Sequence, residues 1–155
     1  MFGQKGLGQG MSYTVSKVFI DTNILIYSID ERTPAKKRRA REVLSGLGVS
    51  RLPVISTQIV HEFFVAATNK LKVDRLSAKK LIHTFRTMEV VENSFDLAEQ
   101  AIDICILSQI SFWDALIVAA AEKAKCEFIF SEDLNSGQSY RGVKVWNPFV
   151  ESGLP

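Results

Sequence analysis

Apolar and polar positions fall along the chain in short blocks. Residues 17–20 (KVFI) are apolar enough to be a buried strand, and the run stops abruptly at Asp21-Thr22-Asn23, a polar turn. Ile24 to Ile29 is apolar but short, enough for one or two helical turns. Pro34 suits the first turn of a helix, Ala40, Val43, Leu44 and Leu47 fall at helical spacing, and Gly46 and Gly48 supply stop signals. Pro53-Val54-Ile55 reads as a second strand. Ser56 or Thr57 then caps a helix to about Lys70, with Ile59, Val60, Phe63, Phe64, Ala67 and Leu71 along one stripe. Ser77 is expected to cap a helix to about Thr87, and Met88 to Val91 to form a third strand. Ser94 and Ser111 open helices reaching about Ser108 and Lys125, and strands are expected at Glu127–Phe130 and Val143–Trp146.

Strands that alternate with helices predict an α/β domain: a three-layer sandwich with a mostly parallel sheet of about five strands and helices on both faces. One domain is expected over residues 17–149. Residues 1–16 read as a flexible glycine-rich extension without the apolar core of a signal peptide, and 150–155 as a tail. In such sheets ligands sit beyond the carboxyl ends of the strands. That rule draws attention to Asp21 and to Ser131-Glu132-Asp133, which both follow a strand.

Composition narrows the function classes. At 155 residues and 46% hydrophobic content the chain forms a core without disulfides. Its two cysteines, Cys105 and Cys126, lack CxxC or Cys/His spacing, so structural zinc is not expected and buried thiols in a cytoplasmic protein are. No apolar stretch approaches the roughly 18 residues of a membrane span.

Four acids stand in places where packing alone explains them incompletely. Asp21 caps the short helix after it or binds something at the strand end. Glu62 borders the apolar stripe of its helix, at its wet edge or buried for a purpose. Ser111 and Asp114 match the S-x-x-D capping box, and Asp114 also opens an unbroken apolar run, where an unpaired charge is costly. Asp133 lies in the polar turn SEDLNSGQ, a common place for aspartate. Two follow strands and two lie on helices that pack near the same sheet edge, and no local motif joins them. A strand ending in aspartate also opens phosphatases of the haloacid-dehalogenase type. Those need a second aspartate two positions on, where this chain has Asn23.

These segments resemble the PIN-domain nucleases, and most closely the VapC-like toxins of type II toxin–antitoxin pairs. VFIDTNILIY resembles the family's opening strand with its first metal-binding aspartate, and STQIVHEFF the helix that carries the family glutamate. ISFWDALIVAAA is similar to the third motif, and FIFSEDLNSGQ followed by VKVWNPF to the closing motif and last strand. The four occur in order over about residues 17–149. Some members carry a further acid where this chain has Asn135.

The resemblance implies a PIN-like fold with Asp21, Glu62, Asp114 and Asp133 as catalytic metal ligands, and Asn23 and Ser131 hydrogen-bonding behind them. Carboxylate oxygens suit Mg²⁺, with Mn²⁺ as a substitute. The implied reaction is phosphodiester hydrolysis of RNA, in which water attacks phosphorus in line and a carboxylate, Asp114 or Asp133, orients it. His61 and His83 are expected to lie away from the site. The implied partners are a small antitoxin that covers the groove and a second copy in a homodimer. The alternatives are a solitary PIN ribonuclease of RNA processing and an inactive PIN-like module that binds RNA or protein.

Charge then takes on meaning. The net charge is only +2, but setting the four acids aside leaves 13 carboxylates against 19 cations. A basic exterior around a metal-neutralised pocket attracts a polyanion. Lys36, Lys37, Arg38 and Arg39, in the densest basic run, are either RNA contacts or a solvated helix face. Phe112 and Trp113 are expected in the core.

Overall fold

The computed structural model describes residues 15–155. The expected flexible extension therefore lies almost wholly outside the described residues, and strand β1 (Ser16–Ile20) begins at its expected end. The other strands are β2 (Arg51–Ser56), β3 (Glu89–Val91), β4 (Phe128–Phe130), β5 (Ser139–Tyr140) and β6 (Val143–Trp146). The helices are α1 (Thr22–Tyr27), α2 (Pro34–Gly46), α3 (Thr57–Asn69), α4 (Arg75–Thr84), α5 (Phe95–Ser108) and α6 (Phe112–Lys123).

The sheet order is β3-β2-β1-β4-β6-β5, parallel except for the β5–β6 pair. The chain starts in the middle at β1, winds outward through β2 and β3, then returns to the other side of β1 as β4. The winding therefore reverses between β1 and β4, and a crevice opens there beyond the strand ends. Asp21 and Ser131 are the first residues past those two strands.

Hydrophobic burial holds this arrangement. Val18, Phe19, Ile20, Val54, Ile55, Ile129 and Phe130 of the central strands are fully buried, as parallel strands covered on both faces require. Helix α6 is buried continuously from Ala115 to Ala121 and crosses β2, β4 and β6. Its alanines let the helix approach the sheet closely. Cys126 is buried, which pushes its thiol up to about 12 and leaves it unreactive, while Cys105 is half-buried. Among the described residues, no single helix is long and apolar enough to cross a membrane.

Two elements differ from expectation. Helix α4 is capped not by Ser77 but by Asp74, whose carboxylate accepts from the Leu76 and Ser77 N–H groups (3.0 and 3.2 Å). An aspartate three residues upstream reaches the orphan donors first, and Ser77 falls inside the first turn. The sheet has six strands rather than five. Tyr140 pairs with Val143 across the two-residue loop Arg141-Gly142, in which both residues have positive φ (51° and 81°). This is the tight turn that matches the twist of a hairpin. A strand of two residues leaves no periodicity to detect.

Candidate metal centre

Asp21 forms the floor of the crevice. Its backbone N–H donates to the Phe130 carbonyl (3.0 Å), so it sits between the ends of β1 and β4. Its carboxylate is 4% exposed and accepts from the Thr22 N–H (2.7 Å), the Ser131 hydroxyl (2.7 Å) and the Asn23 amide (3.3 Å). Capping α1 and occupying the strand end are thus one arrangement. Burial pushes the Asp21 carboxyl up to about 7, against the pull of the Ser131 and Thr22 hydrogen bonds and with help from the charges of Asp133 and Glu62.

Asn23 and Ser131 connect the acids. The Asn23 amide nitrogen donates to both Asp21 and Asp133 (3.3 and 3.1 Å), so the two carboxylates share one donor, while its oxygen accepts from the Glu132 N–H (3.3 Å). The buried Ser131 hydroxyl donates to Asp21 and accepts from the Asp133 and Leu134 N–H groups (3.1 and 3.3 Å). One hydroxyl thereby fixes the floor and folds the loop that carries Asp133.

Glu62 enters from α3. The Thr22 hydroxyl donates to one of its oxygens (2.6 Å) and the Gln58 amide to the other (2.9 Å). Sequence reasoning passed over Thr22 and Gln58. Gln58 was findable, because it stands one helical turn before Glu62 on the same face. The same Gln58 nitrogen also donates to the Trp113 carbonyl (3.3 Å), which ties α3 to the start of α6.

Asp114 is the outlier. It lies in the first turn of α6, where its N–H donates to Ser111 Oγ (3.1 Å), so Ser111 caps the helix while the Asp114 carboxylate makes no return bond to the Ser111 N–H. Among the described residues its carboxylate accepts no hydrogen bond from Thr22, Asn23, Gln58 or Ser131, the residues that hold the other three acids. Its charge falls instead on Tyr140, where it adds to the effect of burial in raising the phenol. As the side chains stand, no group of three or more His, Cys, Asp or Glu among the described residues is close enough to hold one ion.

Above the floor lies a groove of about 1030 Å³, whose walls include Thr22, Asn23, Glu62, Glu132 and Asp133. Its donor set fits a hard divalent cation. The ligating atoms are carboxylate oxygens, and the buried Asp21 keeps its charge at neutral pH only at a cost that a cation would remove.

The basic run of α2 is not one RNA-facing strip. Successive residues point about 100° apart around the helix. Lys36 backs the groove wall, donating to the groove-lining Glu132 and the Tyr27 phenol and standing 4.5 Å over the Tyr27 ring. Lys37 pairs with Glu31. Arg39 does not fit the expected RNA contact: it donates to the carbonyls of Pro148 (2.8 Å), Glu151 (3.1 Å) and Gly153 (2.6 Å), fastening the C-terminal tail to α2. Arg38 is exposed and carries no ion pair among the described residues.

Two further expectations change. His61 lies in the groove wall rather than away from the site. Trp113 is not core: it is 62% exposed at the groove, while Phe112 beside it packs half-buried against the core.

A doubly wound sheet with a carboxylate site at its winding reversal defines a class of α/β proteins that bind ligands at strand ends. The family model of the PIN domain matches residues 18–137, and the chain belongs to that family. Among solved structures, it is similar to the Mycobacterium tuberculosis VapC20 toxin, described as cleaving the sarcin-ricin loop, at 17% identity and a TM-score of 0.61, over 75% of this chain and 89% of that one. A toxin–antitoxin complex from Klebsiella pneumoniae matches at 22% identity and a TM-score of 0.62, over 81% of this chain and 94% of that one. DNA-bound VapBC from Salmonella typhimurium matches at 19% identity and a TM-score of 0.61, over 86% and 98%. At these identities the likeness is one of fold. No curated protein sequence matches the chain.

Proposed function

We propose that the chain is a metal-dependent endoribonuclease and the toxin of a toxin–antitoxin pair. The observation that carries this reading is the linkage of Asp21, Glu62 and Asp133 through Thr22, Asn23 and Ser131 at the winding reversal of a PIN-family sheet. The similar structures support the toxin assignment, because they are described as an RNA-loop-cleaving toxin and as toxin–antitoxin complexes.

Asp21, Glu62, Asp114 and Asp133 would hold Mg²⁺ or Mn²⁺. Such a cation supplies Lewis-acid stabilisation of phosphate charge and eases deprotonation of a water. The rest falls to the protein. Ser131 and Asn23 hold Asp21 and Asp133 with their oxygens in fixed directions, and Thr22 and Gln58 do the same for Glu62. Of the two water-orienting candidates, Asp133 lies in the groove wall. Lys36 places a cation beside the acidic end, where a phosphate of the strand would pass.

The partners in this reading are RNA, a small antitoxin encoded beside this chain, and a second copy in a homodimer, all in the cytoplasm. That no three of these acids among the described residues stand close enough to share one ion favours one rival, a PIN-like module that binds without cleaving. Titration with Mg²⁺ and Mn²⁺ followed by calorimetry separates the two. Binding in the micromolar to millimolar range that Glu62→Gln weakens, together with cleavage of RNA, supports the enzyme. Absence of both from folded protein supports the module.

A further inference from the structure

Trp113 is exposed without a packing reason. Every residue of α6 from Ala115 to Ala121 is buried, yet this indole is 62% exposed at the groove. Its position is nonetheless fixed. Its ring stands edge-on to Phe112 (5.4 Å, 67°), which packs on the core, and its carbonyl is tied to the 4%-exposed Gln58, whose same nitrogen holds Glu62. The backbone beneath the ring and the acid are therefore braced by one side chain. The groove wall that the indole joins carries Val65 and Ala66 beside His61, Asn69, Lys70 and Asn93, so apolar surface and hydrogen-bonding or cationic groups lie side by side.

We infer that Trp113 is a stacking platform that positions an unpaired nucleobase of the substrate next to the cleaved phosphodiester. This rests on the ribonuclease reading. An indole face in a wall of mixed apolar and polar groups suits a base, which has flat apolar faces and polar edges, better than a wholly aliphatic side chain. In a duplex both faces of each base are already stacked, so only an unpaired base can use the ring. Lys70, in the groove wall, supplies a cation to a flanking phosphate.

The chain has two tryptophans, and the other, Trp146, is 8% exposed, so the Trp113→Ala variant serves as the blank that separates the Trp113 signal from that of Trp146. The full chain is titrated with a short single-stranded oligoadenylate RNA and with an RNA duplex of equal length, in Ca²⁺ in place of Mg²⁺. Quenching by the single strand and not by the duplex is expected. Trp113→Ala should abolish the quenching and weaken binding about 5- to 150-fold, with Trp113→Tyr retaining most of the affinity. In Mg²⁺ the same variant should raise KM more than it lowers kcat. Equal affinity for wild type and Trp113→Ala overturns the inference. So does an indole already shielded from iodide in the free protein together with a change of oligomeric state in the variant, which would assign the ring to a protein interface. Wild-type binding is read without turnover, so a failure to cleave defeats the ribonuclease reading and leaves the binding result to decide the platform separately.

Discussion

The floor of the site and its rim are built by opposite means. Asp21 on the floor is 4% exposed, holds three hydrogen-bond donors and belongs to the sheet's own backbone ladder. Asp114 on the rim is half-buried, capped through its backbone alone and free of hydrogen bonds to the other acids. The floor is organised before anything binds. It pays for that order with a buried carboxyl whose charge is unfavourable without a cation. The rim carries little such cost and leaves its groups open to a ligand.

The largest expected effect breaks the comparison at the floor. The Asp21 carboxyl titrates at about 7 when folded, against an ordinary value of 3.8. Between those pH values the folded state holds more protons than the unfolded chain, so stability falls as pH rises and the loss is complete above pH 7. A three-unit shift corresponds to about 4 kcal/mol. Denaturant titrations in EDTA at pH 4 and pH 8 should show wild type losing up to that amount relative to Asp21→Asn. Mg²⁺ at pH 8 should restore much of it, because a bound cation favours the charged form.

Ser131→Ala comes next. It removes a donor to Asp21 and the acceptor for two loop N–H groups. A loss of about 1–3 kcal/mol in stability is expected, with a roughly 10- to 100-fold drop in Mg²⁺ affinity or turnover. Gln58→Leu should sharpen the contrast. It keeps the side chain's bulk but frees Glu62 and the start of α6 together, and metal affinity should fall by about tenfold in calorimetry with a smaller loss of stability. The smallest effect belongs to the rim. Asp114→Asn keeps the capping contact through its backbone, so its melting midpoint should move by no more than the equivalent of about 0.5 kcal/mol, while cleavage is lost.

The same contrast explains what could be read in the sequence. Floor residues announce themselves by a change of pattern. The drop from KVFI to Asp-Thr-Asn and from FIF to Ser-Glu-Asp marks strand ends, and strand ends in a parallel sheet are where sites form. Glu62 is visible because it borders an apolar helix stripe. The rim was less legible. An apolar run following Phe112-Trp113 looks like core throughout, because periodicity does not show that the first turn of α6 projects beyond its packed length. The tail contacts of Arg39 are hidden for a related reason: its partners are backbone carbonyls, which no residue type advertises. Thr22 and Gln58 are small polar links whose role exists only once α1, α3 and α6 meet.

The most direct test of the central claim is cleavage of labelled single-stranded and structured RNA by the purified, antitoxin-free protein in Mg²⁺, Mn²⁺ or EDTA, beside Asp21→Asn of demonstrated fold. Cleavage by wild type that EDTA stops, and its absence in Asp21→Asn, is the expected result. No cleavage by folded wild-type protein in either metal, or equal cleavage by Asp21→Asn, would contradict the assignment of this site as a metal-dependent nuclease centre.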